Sequence, residues 1–121
     1  MPSTAREFAI AAARMAADTR CTDVVLLDVV GINPVTDFLV IATGTSARQM
    51  RSVCDDIEEM AQPMGFSPLA KAGYEGESWI LIDFVTVVVH VFSPTGRASS
   101  RPVTSRALSA FPPFTRCLRF S

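Results

Sequence analysis

At 121 residues, 49% hydrophobic and 19% charged, the chain is long enough for one domain with its own core and short for two. No apolar run approaches the roughly 20 residues that a membrane-crossing helix needs, and the first twenty residues, interrupted by Arg14, Asp18 and Arg20, lack the continuous apolar centre of a secretion signal. The net charge of −1 hides an asymmetry: residues 1–96 hold all twelve acids against six Lys and Arg (−6), whereas residues 97–121 hold five arginines and no acid (+5).

An acidic body argues against direct nucleic-acid binding and suits a basic protein partner, including one whose own basic surface faces RNA. From Thr4 to Asp18 the chain is rich in alanine, with Phe8, Ala11, Ala12 and Met15 at helical spacing, so an amphipathic helix with a thin apolar stripe is expected. "DVVLLDVV" (Asp23–Val30) reads as a buried strand, "GINPV" as a turn and "TDFLVIAT" (Thr36–Thr43) as a second strand. A Gly-Thr-Ser corner follows, in which Ser46 precedes Gln49 by three residues in the form of a capping box. Behind it, Met50, Val53, Cys54, Ile57, Met60 and Ala61 keep the helical period. Arg48, Arg51, Asp55, Glu58 and Glu59 take the remaining face, and Pro63 and Gly65 end the helix.

"SPLAKAGYEGE" reads as a loop or short irregular strand. "WILIDF" (Trp79–Phe84) and "VVVHVF" (Val87–Phe92) lie so close that they predict an antiparallel hairpin. Their link, Val85-Thr86, lacks glycine, asparagine and aspartate, which predicts a wider turn that borrows flanking residues. After Pro94 the chain is rich in serine, arginine and proline without a sustained period, so an irregular, loosely held tail is expected. The architecture is an α/β or α+β body over residues 1–96, a mixed sheet flanked by helices, with an atypical tail over 97–121.

Each candidate chemistry meets a simpler reading. A phosphate cradle at "ATGTS" would need several backbone N–H groups converging on one point and usually a basic side chain; there is one glycine, Gly44, no Walker lysine, and a capping box that already uses the donors. Asp28, Asp37 and Asp83 each stand alone at a strand boundary, where an aspartate more often caps than holds a catalytic metal. His90, in the last strand on the face of Val88 and Phe92, has no nucleophile spaced beside it and reads as a partly buried, hydrogen-bonded histidine. Cys21, Cys54 and Cys117 form no paired motif and read as reduced thiols of a cytosolic protein. No metal or cofactor is therefore expected. Asp55, Asp56, Glu58 and Glu59 oppose the macrodipole of their helix and form either a solvated face or a docking patch. The lone Trp79 stands among Glu75, Glu77 and Asp83 and is as readily a core residue as an interface anchor.

The stretch "TDVVLLDVVGINPVTDFLVIATGTSARQMRSVCDDIEE", followed by "WILIDFVTVVVHVFSP", resembles the ribosomal silencing factor family (RsfS, Iojap-related) from about Thr22 to Arg97. "TDFLVIATGTS", the "RQ" in the helix's first turn and W-x-L-x-D leading into "VVVHVF" carry the resemblance together. It implies a nucleotidyltransferase-like sheet without transferase activity. It implies binding to the large ribosomal subunit at the fourteenth large-subunit ribosomal protein, which blocks joining of the small subunit and slows translation when nutrients are short. By position it points to Trp79, Leu81 and Asp83 as partner-binding residues, with Glu75, Glu77 and Pro94 around them and Glu58 and Glu59 further off. The other reading kept open is a nucleotide-binding or nucleotidyl-transferring enzyme of the same fold.

The chain departs from the family pattern at three places. The hairpin that usually turns through Tyr-Gly-Asp has Phe84-Val85-Thr86, and Ala72 stands where an acid commonly precedes the glycine. Past Arg97 the family continues with an aromatic residue, Asp-Leu-Glu and a tryptophan in a last acidic helix; here an arginine-rich, acid-free segment follows, as a shifted reading frame would produce. Its five arginines would allow salt-dependent contact with ribosomal RNA. An exposed strand edge would allow a homodimer.

Overall fold

The computed structural model describes residues 4–32, 34–74, 76, 78–94 and 117–119. Helix α1 (Ala5–Asp18) starts where the Thr4 hydroxyl oxygen accepts from the Glu7 amide at 3.1 Å, and stops where the Thr19 hydroxyl donates to the Met15 carbonyl at 2.7 Å. Its buried side is Phe8, Ala9, Ala12, Ala13 and Ala16, whereas Ala11 and Met15 of the expected stripe are only half-buried. In a helix with alanine on every side, side-chain size rather than polarity decides which face goes in. The four fully buried alanines let α1 lie close against the sheet.

Strands β1 (Thr22–Asp28) and β2 (Phe38–Thr43) pair antiparallel. Helix α2 (Ala47–Ala61) follows, then β3 (Ala70–Ala72), β4 (Trp79–Asp83), β5 (Val87–Phe92) and the short β6 (Cys117–Arg119). The sheet order is β3-β4-β5-β2-β1-β6, with β2 and β5 parallel and every other pair antiparallel. The fold is thus α+β with a mixed sheet, as the sequence predicts. Within the segment expected to be irregular, Cys117–Arg119 form a strand along β1. Backbone pairing to an open sheet edge needs no side-chain period, so composition gave no sign of it.

Both helices pack on one face of the sheet. Phe8 stacks on Phe66 with ring centroids 4.6 Å apart and meets Phe84 edge-on at 4.8 Å, above Val40, Ile80, Ile82, Val89 and Val91. A second apolar cluster, Val25, Leu27, Val29 and Ile41, with Leu39 and Phe92 against it, lies on the other face. The hairpin turns over residues 84–86, wider than two residues, with Phe84 N–H donating to the Val87 carbonyl at 2.8 Å and Val85 at φ 75°. That conformation favours glycine, so the β-branched Val85 is strained there.

Candidate protein interface on the second sheet face

Alternation along β4 sends Ile80 and Ile82 under the helices and turns Trp79, Leu81 and Asp83 to the second face. Pairing then extends each of them into a row: Trp79 beside Phe92 and Thr43, Leu81 beside His90 and Ile41, Asp83 beside Val88 and Leu39. Trp79, Leu81, Asp83, Val88, His90, Phe92 and Leu39 are all half-buried. The result is a flat, largely apolar patch with one carboxylate at its edge.

Three rings adjoin within it. The Trp79 indole Nε1–H donates to His90 Nδ1 over a long 3.4 Å, with ring centroids 6.4 Å apart. His90 lies nearly parallel to Phe92, 5° between planes and 6.1 Å between centroids. Burial pushes the His90 pKa below its ordinary value, and the Asp83 carboxylate opposes that shift. Asp83 also accepts from the Val85 amide at 2.7 Å and so holds the turn as well as edging the patch.

The start of β4 is fixed by close backbone approach: Gly73, at φ 85°, lies so near the Trp79 carbonyl oxygen that a Cβ there would collide with it. Ser93 N–H donates to the Ser78 carbonyl at 2.9 Å, which sets the exposed Pro94 at the Trp79 end of the sheet. Glu75 and Glu77 lie outside the described residues.

Glu58 and Glu59 are not brought together with these residues. They sit on α2, in the helical layer, where Glu58 pairs with Lys71 at 3.1 Å and Glu59 is exposed. With Asp55, Gln62, Phe66, Ser67 and Pro68 they line a shallow cleft.

The Gly-Thr-Ser corner is used up by the fold. Gly44 N–H donates to the Phe92 carbonyl at 2.7 Å, Thr45 N–H to Gln49 Oε1 at 3.0 Å, and Gln49 N–H to Ser46 Oγ at 3.1 Å. A Cβ at Gly44 would overlap the Met50 side chain, so glycine is required there for packing of the corner against α2. Asp28 accepts from the Val30 amide at 3.1 Å, a turn role like that of Asp83. Among the described residues no group of three or more His, Cys, Asp or Glu gathers to hold a metal ion. Burial raises the pKa of both buried thiols, Cys21 and Cys54, the latter to about 12 with Cys21 adding to the effect, so neither is a ready nucleophile at neutral pH.

Sequence reasoning named Trp79, Leu81 and Asp83 as candidates and put His90 on the face of Val88 and Phe92, but did not join the two sets, which the structure brings together. The signal was present: once "WILID" and "VVVHVF" are paired as a hairpin, their alternating residues must share a face. It did not identify Leu39 as the far end of the patch, because the parallel β2–β5 pairing is long-range and leaves no local mark.

Comparison with known proteins decides the family. The family model described as ribosomal silencing factor during starvation, RsfS, matches residues 2–100. The chain belongs to the RsfS family. Its members are regulators and not enzymes, and the match ends close to the change of composition that begins the tail. The chain is 37% identical over 81 residues to the ribosomal silencing factor RsfS of Halalkalibacterium halodurans, spanning 67% of this chain and 69% of that one. It is 33% identical over 81 residues to that of Bacillus subtilis, with the same coverage of 67% and 69%. The chloroplastic Iojap protein of Zea mays is 33% identical over 91 residues, 75% of this chain but 40% of its own length. A crystal structure from Bacillus halodurans superposes with a TM-score of 0.67 at 32% identity, covering 83% of this chain and 90% of that one. One from Chromobacterium violaceum gives 0.76 at 24% identity, covering 84% and 85%, and supports the fold alone. No helix among the described residues is long and apolar enough to cross a membrane.

Proposed function

We propose that this RsfS family member is a translational repressor that binds the large ribosomal subunit at its fourteenth ribosomal protein and sterically blocks joining to the small subunit, slowing translation under nutrient limitation. The observation that carries the reading is the patch built by β4 and β5, in which Trp79, Leu81, Val88, His90 and Phe92 present a half-buried apolar surface with Asp83 at its edge. Aromatic anchors edged by the Asp83 carboxylate on an acidic body suit a basic ribosomal protein. Pro94 would add to the rim, Glu75 and Glu77 are further partner-binding residues of this proposal, and an interface of standard size would bury about 1,600 Å² in total.

Residues 1–96 carry the contact, and the arginines of 97–121 add only a salt-dependent attraction to ribosomal RNA. Glu58 and Glu59, on the helical layer, would serve only a second, separate contact. The fully exposed edge strand β3 is where a second copy would pair. A cytoplasmic location is part of this proposal.

Sedimentation of purified large and small subunits with the full chain tests this. Co-migration with large subunits, with fewer joined ribosomes when small subunits are added, is expected. Failure to co-migrate at low and moderate salt would overturn it.

A further inference from the structure

We propose that His90 is the positioning residue for Trp79: its unprotonated Nδ1 accepts the indole N–H and sets the ring on the second sheet face in its docking orientation. This rests on the proposed function only for what Trp79 docks against; the positioning itself is a property of the isolated chain.

The register places His90 directly opposite Leu81 and diagonal to Trp79, so the indole N–H reaches across one strand spacing to Nδ1 at 3.4 Å. A ring nitrogen that accepts carries no proton, so His90 is the neutral imidazole with its hydrogen on Nε2. Protonation would put an N–H on Nδ1 facing the indole N–H, two donors opposed, and would bring a charge into a patch lined by Leu39, Ile41, Leu81, Val88 and Phe92. Asp83 on β4 is the charged side chain on this face among the described residues of β2, β4 and β5, and it draws against the burial that keeps the imidazole neutral. Thr43 on β2 is the remaining polar neighbour in the rows. His90 is further held by Phe92, nearly parallel to it on the same strand, so the imidazole is itself braced. Without Nδ1 as acceptor the half-buried indole N–H would need water or a rotated ring, and a rotated ring changes the surface offered to the partner.

The chain has one tryptophan, so indole emission reports Trp79 alone. A protonated imidazole beside an indole quenches it, which makes titration of His90 visible at Trp79. The full-length protein is compared with His90→Asn, whose amide oxygen stands near the Nδ1 position and does not titrate, and with His90→Phe, which keeps a ring but has no acceptor. Emission is followed from about pH 8 to about pH 5, and binding to purified large subunits is measured by sedimentation at about pH 7.5.

The wild type should show a quenching transition with its midpoint below 6.5, absent from both variants. Asp83→Asn, which keeps an oxygen for the Val85 amide, should move that midpoint lower still. Binding should fall roughly fivefold in His90→Phe, the worth of one hydrogen bond, and by less in His90→Asn, which restores an acceptor. Stability has a matching sign. Because the folded pKa lies below the unfolded one, the contribution of His90 is complete above pH 6.5 and declines as the pH falls through the folded value.

A pH-independent wild-type emission in a protein that stays folded by circular dichroism would overturn the proposal. So would binding of His90→Phe equal to wild type. If wild type itself fails to sediment with large subunits, the proposed function falls and the emission titration alone decides the positioning. If His90→Phe fails to fold, the wild-type titration and its loss in His90→Asn decide it.

Discussion

Ile80 and Ile82 are 1% and 0% exposed beneath α1 and α2, while Trp79, Leu81 and Asp83, one residue along the same strand, remain half-buried on the other face. The same contrast runs along β5, where Val87, Val89 and Val91 are buried and Val88, His90 and Phe92 are not. One strand pair therefore serves two ends. Its helix-side residues fill the core, and its second-face residues form the proposed docking surface, built on the strands that the core holds. Substitutions one position apart should then register in different experiments.

The largest separation is expected between Ile82→Ala and Leu81→Ala. The first leaves a cavity in the main core and should lose about 3 kcal/mol of unfolding free energy in urea titrations. The second, half-buried, should lose about 1 kcal/mol yet weaken large-subunit binding more than it weakens the fold. Equal losses of stability from the two would break the comparison. Next in size, Trp79→Ala should cost about 2 kcal/mol of binding, roughly a thirtyfold rise in the dissociation constant from sedimentation titrations.

Val85→Gly sharpens the contrast from the turn that joins the two strands. Relief of the left-handed backbone at φ 75° should raise stability by about 1 kcal/mol, seen as a melting temperature higher by about 4–8 °C, with binding unchanged. The smallest effect belongs to the helical layer. The Glu58–Lys71 pair is partly exposed, at 28% and 43%, so Glu58→Gln should change stability by less than about 0.5 kcal/mol, read by urea titration.

Much of this was legible in the sequence because local rules carried it. The Ser46–Gln49 cap marked the start of α2, and the need for a turn that borrows residues was visible in the missing glycine between β4 and β5. Strand ends were less so: β1 stops at Asp28 and β2 begins at Phe38, two residues inside the expected runs, because Asp28 turns the chain through its own side chain. The buried side of α1 was read only in part, with Phe8 and Ala12 buried but Ala11 and Met15 half-buried, because an alanine-rich helix has little polarity contrast. The pairing of Cys117–Arg119 with β1 depends on an edge more than eighty residues earlier in the chain. Within the proposed docking surface, the residues on β4 could be named, but the Trp79–His90 bond follows from register and side-chain orientation, which no local pattern encodes.

The most direct measurement is a hydroxyl-radical footprint of the full-length protein with and without purified large subunits, read by mass spectrometry at oxidisable side chains on both layers. Docking through the second face predicts that Trp79, His90 and Phe92 become protected while Met60, on α2, and Met64, just after it, are oxidised as in the free protein. Protection of Met60 and Met64 with Trp79 unchanged would contradict it.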